Sequence, residues 1–312
     1  MFSNFMIGFN AVMPMLIYML FGQFFAQAGM IKQESFQDFN KALFKILLPI
    51  NLFTNIYKSD FKQSFNGYAL TYIFVIALIL YFMLAFIIPR VSNDRTRYGV
   101  MLQGSVRANA ILFGLPLGTS LLGEENLGMV TITLAIIVPF WNIMSVVGFS
   151  LYSEDKVSFK QMGRSIITNP MVIATFIGLI VILLGLQFPE AINTSLTNIN
   201  RMVSPLALMV MGGTFSFKLK DVDFALIFTV ANKLIIIPLI AITLGAILGF
   251  RGDAIVSILI AFAGPTAVSS YAQAIAADGD GDLANQTVVF TTIFSMITLV
   301  FLIALMKTFG LF

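Results

Sequence analysis

Ten apolar segments, each long enough to cross a lipid bilayer, make up most of this chain. A membrane-spanning helix needs about 20 mainly apolar residues, because lipid offers no partners to backbone N–H and C=O groups. The segments cover residues 6–29, 38–57, 67–89, 99–122, 127–151, 169–187, 197–217, 222–249, 253–277 and 284–310. Charged residues are 11% of the chain, against about 25% in a soluble domain. The sequence therefore predicts an all-α, polytopic protein of the cell membrane.

Cys and His are both absent from the chain, and Lys32 is its first Lys. Their absence excludes disulfides, Cys-His and Ser-His-Asp catalytic groups, and the helical His pair of a zinc protease. We expect no enzyme activity, metal centre or cofactor, although Na⁺ could bind hydroxyl, amide and carbonyl oxygens. We also expect no nucleic acid partner, since charge in such a chain serves orientation first. The first segment lacks the basic start of a signal peptide, so we expect it to be retained.

The polar stretch 152–168 divides the ten spans into five and five. Prolines recur in matching spans of the two parts: Pro14 matches Pro170, Pro49 matches Pro205, and Pro116 matches Pro265. Chance alignment of ten prolines is the alternative. An odd number of spans in each repeat places the second repeat upside down in the membrane. The sequence thus predicts a five-helix repeat at 1–151, a cytoplasmic link at 152–168 and an inverted repeat at 169–312.

The orientation of the spans follows from Lys and Arg, which favour cytoplasmic loops. The odd-numbered links carry ten such residues, among them Lys32, Arg95 and Lys156. The even-numbered links and the termini carry five, including Arg201 and Arg251. This excess predicts that both termini lie outside the cell.

Spans four and nine are each interrupted by Gly and Pro, at Phe113-Gly114-Leu115-Pro116 and at Phe262-Ala263-Gly264-Pro265. An interior Pro removes a backbone hydrogen bond that lipid cannot replace. A matched pair of broken spans, one in each half, indicates the binding site of a secondary transporter. Two ordinary proline kinks are the alternative. We predict that both spans unwind near Gly114–Pro116 and Gly264–Pro265 and cross near the midplane.

Several motifs resemble the auxin efflux carrier family, in the same order along the chain. They are Arg107-Ala108-Asn109 with Phe113-Gly114-Leu115-Pro116-Leu117 in span four, Asn169-Pro170 at the start of span six, Ile237-Pro238-Leu239 in span eight, and Ala263-Gly264-Pro265-Thr266-Ala267-Val268 in span nine. The resemblance implies a carrier of small organic anions with an elevator arrangement. Spans one, two, six and seven would form its scaffold, and the other six spans would move. The short central link is similar to that of microbial members.

Polar side chains lie next to both interruptions. Thr266, Ser269, Ser270 and Gln273 follow a helical spacing that places them on one face, and Asn109 lies one turn before Phe113. Helix packing, or capping in the case of Asn109, is the alternative. Asn142 and Ser145 in span five could line the same cavity. We predict that a carboxylate contacts Asn109, Gly114, Pro116, Gly264, Pro265, Thr266, Ser269, Ser270 and Gln273, with helix N-termini supplying N–H groups.

Two cations, Arg107 and Lys233, lie within apolar segments and are candidates for attracting an anion. Arg107 is close enough to the cytoplasmic end of its span that we expect it to snorkel. Lys233 is deeper, and a bond to the backbone or to an acid is its alternative role. No Asp or Glu lies in the middle of a span, which disfavours proton coupling through a buried carboxylate.

The function that these features favour is a secondary transporter that moves a small organic anion across the cell membrane, driven by the membrane potential. A sodium-coupled symporter is the first alternative, and a metabolite sensor without transport is the second. The link 152–168 has no room for a signalling module, which counts against a sensor. The expected partners are the anion and the lipid bilayer, and a homodimer is compatible with this design.

Overall fold

The computed structural model describes residues 2–58, 65–152, 167–168, 170–214 and 222–312. These residues are mainly helical and contain no β-strand. The predicted link 152–168 lies almost entirely outside the described residues.

Fourteen α-helices follow one another along the described chain. They are α1 (Phe2–Gln27), α2 (Gln33–Ala42), α3 (Leu48–Lys58), α4 (Gly67–Val91), α5 (Arg95–Val106), α6 (Leu115–Leu122), α7 (Gly128–Tyr152), α8 (Pro170–Leu183), α9 (Glu190–Thr214), α10 (Phe224–Ala231), α11 (Ile237–Ile247), α12 (Gly252–Ala263), α13 (Ser269–Ala276) and α14 (Gly281–Thr308). Each of the ten predicted spans corresponds to one helix or to two consecutive helices. The inverted relation of the two halves stays a prediction.

Five stretches of the described chain are individually long and apolar enough to cross a membrane. They are Ser3–Gln27, α4, α7, Phe224–Ile247 and α14. Two shorter apolar helical stretches, Ala110–Leu122 and Gly252–Ala263, belong to the broken spans four and nine. The chain is therefore a multi-pass membrane protein.

Helices α1 and α9 approach each other so closely that their backbones touch. A Cβ atom added at Gly22 would lie 1.7 Å from the carbonyl oxygen of Met209, and one added at Gly212 would lie 2.0 Å from that of Met19. Small residues permit this approach in membranes, where packing and not hydrophobicity drives helices together. Helix α9 also packs on α2 and α3, and α3 packs on α8. These helices correspond to predicted spans one, two, six and seven.

Three π-helical segments lie within spans two, four and eight, at Leu43–Leu47, Ala110–Gly114 and Asn232–Ile236. Each segment ends two residues before a proline, which is Pro49, Pro116 or Pro238. A proline ring inside an α-helix collides with the carbonyl four residues earlier, and the wider π turn relieves this crowding. The three prolines therefore sit in helix that continues past them.

The break in span four is not where the sequence predicted it. Helix α5 ends at Val106 and helical structure resumes at Ala110, so the break comprises residues 107–109. The prediction of unwinding at Gly114–Pro116 is wrong, because the π-helical turn Ala110–Gly114 runs directly into α6 and accommodates Pro116 without a break. In span nine the prediction is confirmed, since α12 ends at Ala263 and α13 begins at Ser269.

The two breaks bind each other through their backbones. The Asn109 N–H donates to the carbonyl of Pro265 at 2.7 Å, and the Ala267 N–H donates to the carbonyl of Arg107 at 3.2 Å. These bonds form an isolated antiparallel bridge between Ala108 and Thr266, and this contact between the two breaks is named the crossing. Each break thus satisfies polar groups of the other, as burial away from water requires.

Arg97 fixes the start of α5 to the caps of two other helices. Its guanidinium pairs with Asp223, the N-cap of α10, at 2.6 Å and with Asp280, the N-cap of α14, at 2.9 Å. Burial raises the pKa of Asp223, but the Leu226 N–H and the Arg97 charge outweigh it and hold that pKa below its ordinary value. The cluster ties spans four, eight and ten together at one end.

Candidate functional site

Arg107 is the first residue of the break in span four, and its side chain is only 7% exposed. One terminal nitrogen, Nη2, donates to Asn142 Oδ1 at 2.7 Å and to Ser269 Oγ at 2.9 Å. The other, Nη1, donates to Gln273 Oε1 and lies 3.5 Å from Ser145 Oγ. All four acceptors are neutral.

No carboxylate among the described residues forms an ion pair with Arg107. A buried cation without a counter-charge is costly, and neutral hydrogen bonds offset only part of that cost. The prediction that Arg107 snorkels to the surface is wrong, because α5 begins at Arg95 and carries Arg107 three turns inward. The guanidinium is therefore a positive charge held beside the crossing of the two broken spans.

A cavity of about 330 Å³ opens next to the Arg107 side chain. Its volume is in the range of sites that bind small molecules. Its lining residues are Lys45, Arg107, Ala108, Asn109, Ala110, Ile111, Leu112, Val138, Trp141, Asn142, Pro170, Ala267, Val268, Ser269 and Gln273. Among the described residues, the lining includes the basic side chains of Lys45 and Arg107 and no acidic one. The lining favours an anionic occupant.

Two polar groups in the lining can donate a hydrogen bond to a ligand. Trp141 is buried, and its indole N–H has no hydrogen-bond partner in the described part of the chain. Within the described residues, Asn109 donates its side-chain amide only to the Met211 sulfur, at 3.6 Å. A thioether is a weak acceptor, so a carboxylate oxygen would replace it readily.

The predicted polar stripe of span nine divides into two pairs. Ser269 and Gln273 bind Arg107 and line the cavity. Thr266 instead donates its hydroxyl to the carbonyl of Gly104 at 2.7 Å, and Ser270 is buried outside the lining. The prediction of one shared face fails at Thr266, because α13 begins only at Ser269.

The remaining predicted contacts shape the crossing from outside this cavity. A Cβ atom on Gly114 would lie 2.3 Å from Ile260 Cγ2, so this glycine permits close helix packing. Gly264 caps α12, and Pro265 supplies the carbonyl that accepts from Asn109. Pro116 lines a second cavity of about 1180 Å³ between α1, α3, α6, α8 and α9.

Lys233 is fully buried and bonds to backbone, one of the two roles that the sequence allowed. Its Nζ donates to the carbonyl oxygens of Val106 at 3.3 Å and Phe262 at 3.0 Å. These residues lie at the C-terminal ends of α5 and α12. Lys233 does not line the Arg107 cavity.

Gln103 is a site residue that the sequence reasoning missed. Its amide donates to Ser145 Oγ at 3.1 Å and to Gln273 Oε1, so it holds two acceptors of Arg107 in place. It lies four residues before Arg107, in the last turn of α5. That spacing, read together with a polar group in an apolar span, is the signal that could have found it.

Comparison with known proteins connects this geometry to transport. A family model described as "Membrane transport protein" matches residues 7–158 and 155–303. An uncharacterized transporter of Methanocaldococcus jannaschii is 23% identical over 308 residues, which cover 94% of this chain and 97% of the relative. An uncharacterized transporter of Methanothermobacter thermautotrophicus is 23% identical over 300 residues, with 95% and 97% covered. The chain belongs to the membrane transport protein family of the auxin efflux carriers.

Proposed function

We propose that this protein is a secondary carrier that moves a small organic anion across the cell membrane, and that it binds the anion's carboxylate beside Arg107. The observation that carries the proposal is the buried Arg107 guanidinium, which has only neutral partners among the described residues and borders a cavity. A guanidinium matches a carboxylate with two parallel hydrogen bonds. Such a pair would supply the missing counter-charge.

The neutral partners of Arg107 suit a site that must also release its cargo. Asn142, Ser269 and Gln273 hold the guanidinium when no anion is bound. An arriving carboxylate exchanges with some of these bonds, so the gain on binding is smaller than for a bare cation. Asn109 and the indole N–H of Trp141 would donate to the same ligand.

The larger cavity is a weaker candidate for the anion site, because the charges of its described lining residues are balanced. Its lining has the basic residues Lys58 and Arg201 and the acidic residues Glu124 and Glu125. Arg201 is already paired with Glu124 at 2.9 Å. We propose that this cavity is part of the route of the anion and that Arg107 holds the binding position.

The proposed movement is of the elevator type, with α1, α2, α3, α8 and α9 as the scaffold and the crossing carried by the other helices. The membrane potential would drive the anion outward. Moving one elementary charge across 100 mV is worth about 2.3 kcal/mol, which is ample for a useful gradient. This drive requires no ATP site and no buried acid.

Uptake of labelled carboxylates into liposomes that contain the purified protein tests this function. The substitution Arg107→Gln keeps hydrogen-bond donors and removes the charge, and we expect it to lower uptake at low substrate concentration by roughly 10- to 100-fold. Arg107→Lys keeps the charge but loses the two-pronged geometry, so an intermediate rate is expected. Lys41→Ala, at an exposed lysine paired with Asp38, is the control. Wild-type uptake by Arg107→Gln would contradict the proposal.

A further inference from the structure

We propose that the ammonium group of Lys233 takes the place of an inorganic cation at the crossing, so that transport needs no coupling ion. The proposal starts from one contact. Lys233 Nζ lies 3.3 Å from the carbonyl oxygen of Val106 and 3.0 Å from that of Phe262. The first carbonyl belongs to span four and the second to span nine, so a single cation joins both broken spans.

The place that Lys233 occupies is electrically negative. Val106 is the last residue of α5, and Phe262 is the residue before the last of α12. The last four carbonyls of a helix lack partners within it, and the helix dipole adds roughly half a negative charge there. Two such ends meeting at one point repel each other unless a cation lies between them.

Carbonyl oxygens at the ends of broken helices are the ligands that coordinate Na⁺ in many secondary carriers. In this protein the same kind of oxygens are bound to a side-chain ammonium. Lys233 is 0% exposed, and among the described residues no carboxylate forms an ion pair with it. No described acid therefore competes with the two helix ends for this amino group.

A covalently attached cation cannot leave with the cargo. If the proposed anion transport is correct, on which this consequence rests, each turnover moves only the charge of the anion. Sodium coupling through the crossing is then excluded, and the membrane potential alone sets the gradient of the cargo. The role of Lys233 itself does not depend on which molecule is carried.

The first experiment measures the melting temperature of the purified full chain in choline, sodium, potassium and lithium chloride at one ionic strength. We expect the wild-type value to be the same in all four salts. We expect Lys233→Ala to melt roughly 3 to 10 °C lower in choline chloride and to recover part of this loss in a small monovalent cation or in ethylammonium. Lys41→Ala should behave like the wild type in every salt.

A second measurement keeps the proposal testable if Lys233→Ala does not fold. Wild-type protein in liposomes should take up its labelled carboxylate at equal initial rates with sodium, potassium or choline outside. A requirement for sodium would overturn the proposal, as would a wild-type melting temperature raised by sodium alone. A Lys233→Ala protein that folds and shows no response to any cation or to ethylammonium would overturn it too.

The two proposals fail in different ways. If Arg107 does not bind the anion, the Arg107→Gln protein will take up carboxylates normally. The response of Lys233→Ala to the salts will then be as expected. If Lys233 does not replace a cation, the melting temperatures of the wild type or of Lys233→Ala will depart from those expected. The loss of uptake by Arg107→Gln will remain.

Discussion

The breaks in spans four and nine meet at the same place, yet their sequences differ. Span nine breaks at Gly264–Pro265, where both residues disfavour a helix. Span four breaks at Arg107-Ala108-Asn109, which contains neither Gly nor Pro, and continues as helix through Gly114 and Pro116. The break in span nine is therefore encoded by its own residues. The break in span four is held open by span nine, through two backbone hydrogen bonds.

The two glycines should respond oppositely to a methyl group, and this is the largest effect we expect. Gly114→Ala should lower the free energy of unfolding by about 1–3 kcal/mol, because the new Cβ would lie 2.3 Å from Ile260 Cγ2. Gly264→Ala should be neutral or stabilising by up to about 1 kcal/mol, since its nearest neighbour is 3.7 Å away. Unfolding of both variants in detergent measures the difference.

A second substitution tests the cause of the Gly114 effect. Replacing Ile260 by Ala in the Gly114→Ala protein removes the colliding methyl group. The double variant should then lose less stability than the two single changes added together. Equal losses at Gly114 and Gly264 would show that the two glycines have the same role and would break the comparison.

Two threonines of α14 test whether a side chain from another helix supports the break in span nine. Thr291 Oγ accepts from the N–H of Thr266 at 3.0 Å, whereas Thr287 Oγ is buried without a partner in the described structure. Thr291→Val should cost about 1–2 kcal/mol, because it leaves a buried N–H unpaired. Thr287→Val, of equal shape and equal burial, should cost less or stabilise. Similar losses in chemical unfolding of the two variants would show that the Thr291 bond does not support the break.

Pro265 and Pro116 should give the smallest difference in stability when each is replaced by Ala. Pro265→Ala should destabilise by about 1 kcal/mol, because it introduces a new N–H at a buried position and loosens the unfolded chain. Pro116→Ala should cost less than about 0.5 kcal/mol or stabilise, because helix already runs from Ala110 through position 116 and the alanine N–H can bond within it. Melting temperatures of the two variants rank these effects. A larger loss at Pro116 would place the structural break where the sequence first indicated it.

Much of the fold could be predicted from the chain because apolar length is a local property. The all-helical, multi-pass class followed from it, and the break at Gly264–Pro265 followed from the Gly and the Pro. The break at Arg107–Asn109 could not be predicted, since its partners Pro265 and Ala267 lie far away in sequence. Pro116 led to the wrong position for the break, because a π-helical turn accommodates this proline within the helix. No simple sequence pattern indicates such a turn.

The candidate site was predicted in part for the same reason. Asn109, Ser269 and Gln273 stand out in the sequence as polar side chains in apolar spans, and all three line the cavity. Their contact with a carboxylate stays a prediction. The depth of Arg107 was misjudged because the start of α5 at Arg95 lies beyond the apolar segment. Gln103 was missed because its importance depends on two side chains from other spans.

The position of a bound carboxylate tests the central claim most directly. A crystal structure with a brominated carboxylate, chosen from those that the liposomes take up, would locate the ligand by its anomalous signal. We predict a carboxylate about 3 Å from the Arg107 guanidinium, in the bonds now made by Asn142 or Ser269. A carboxylate bound only in the larger cavity beside Pro116, with the Arg107 hydrogen bonds unchanged, would contradict the account.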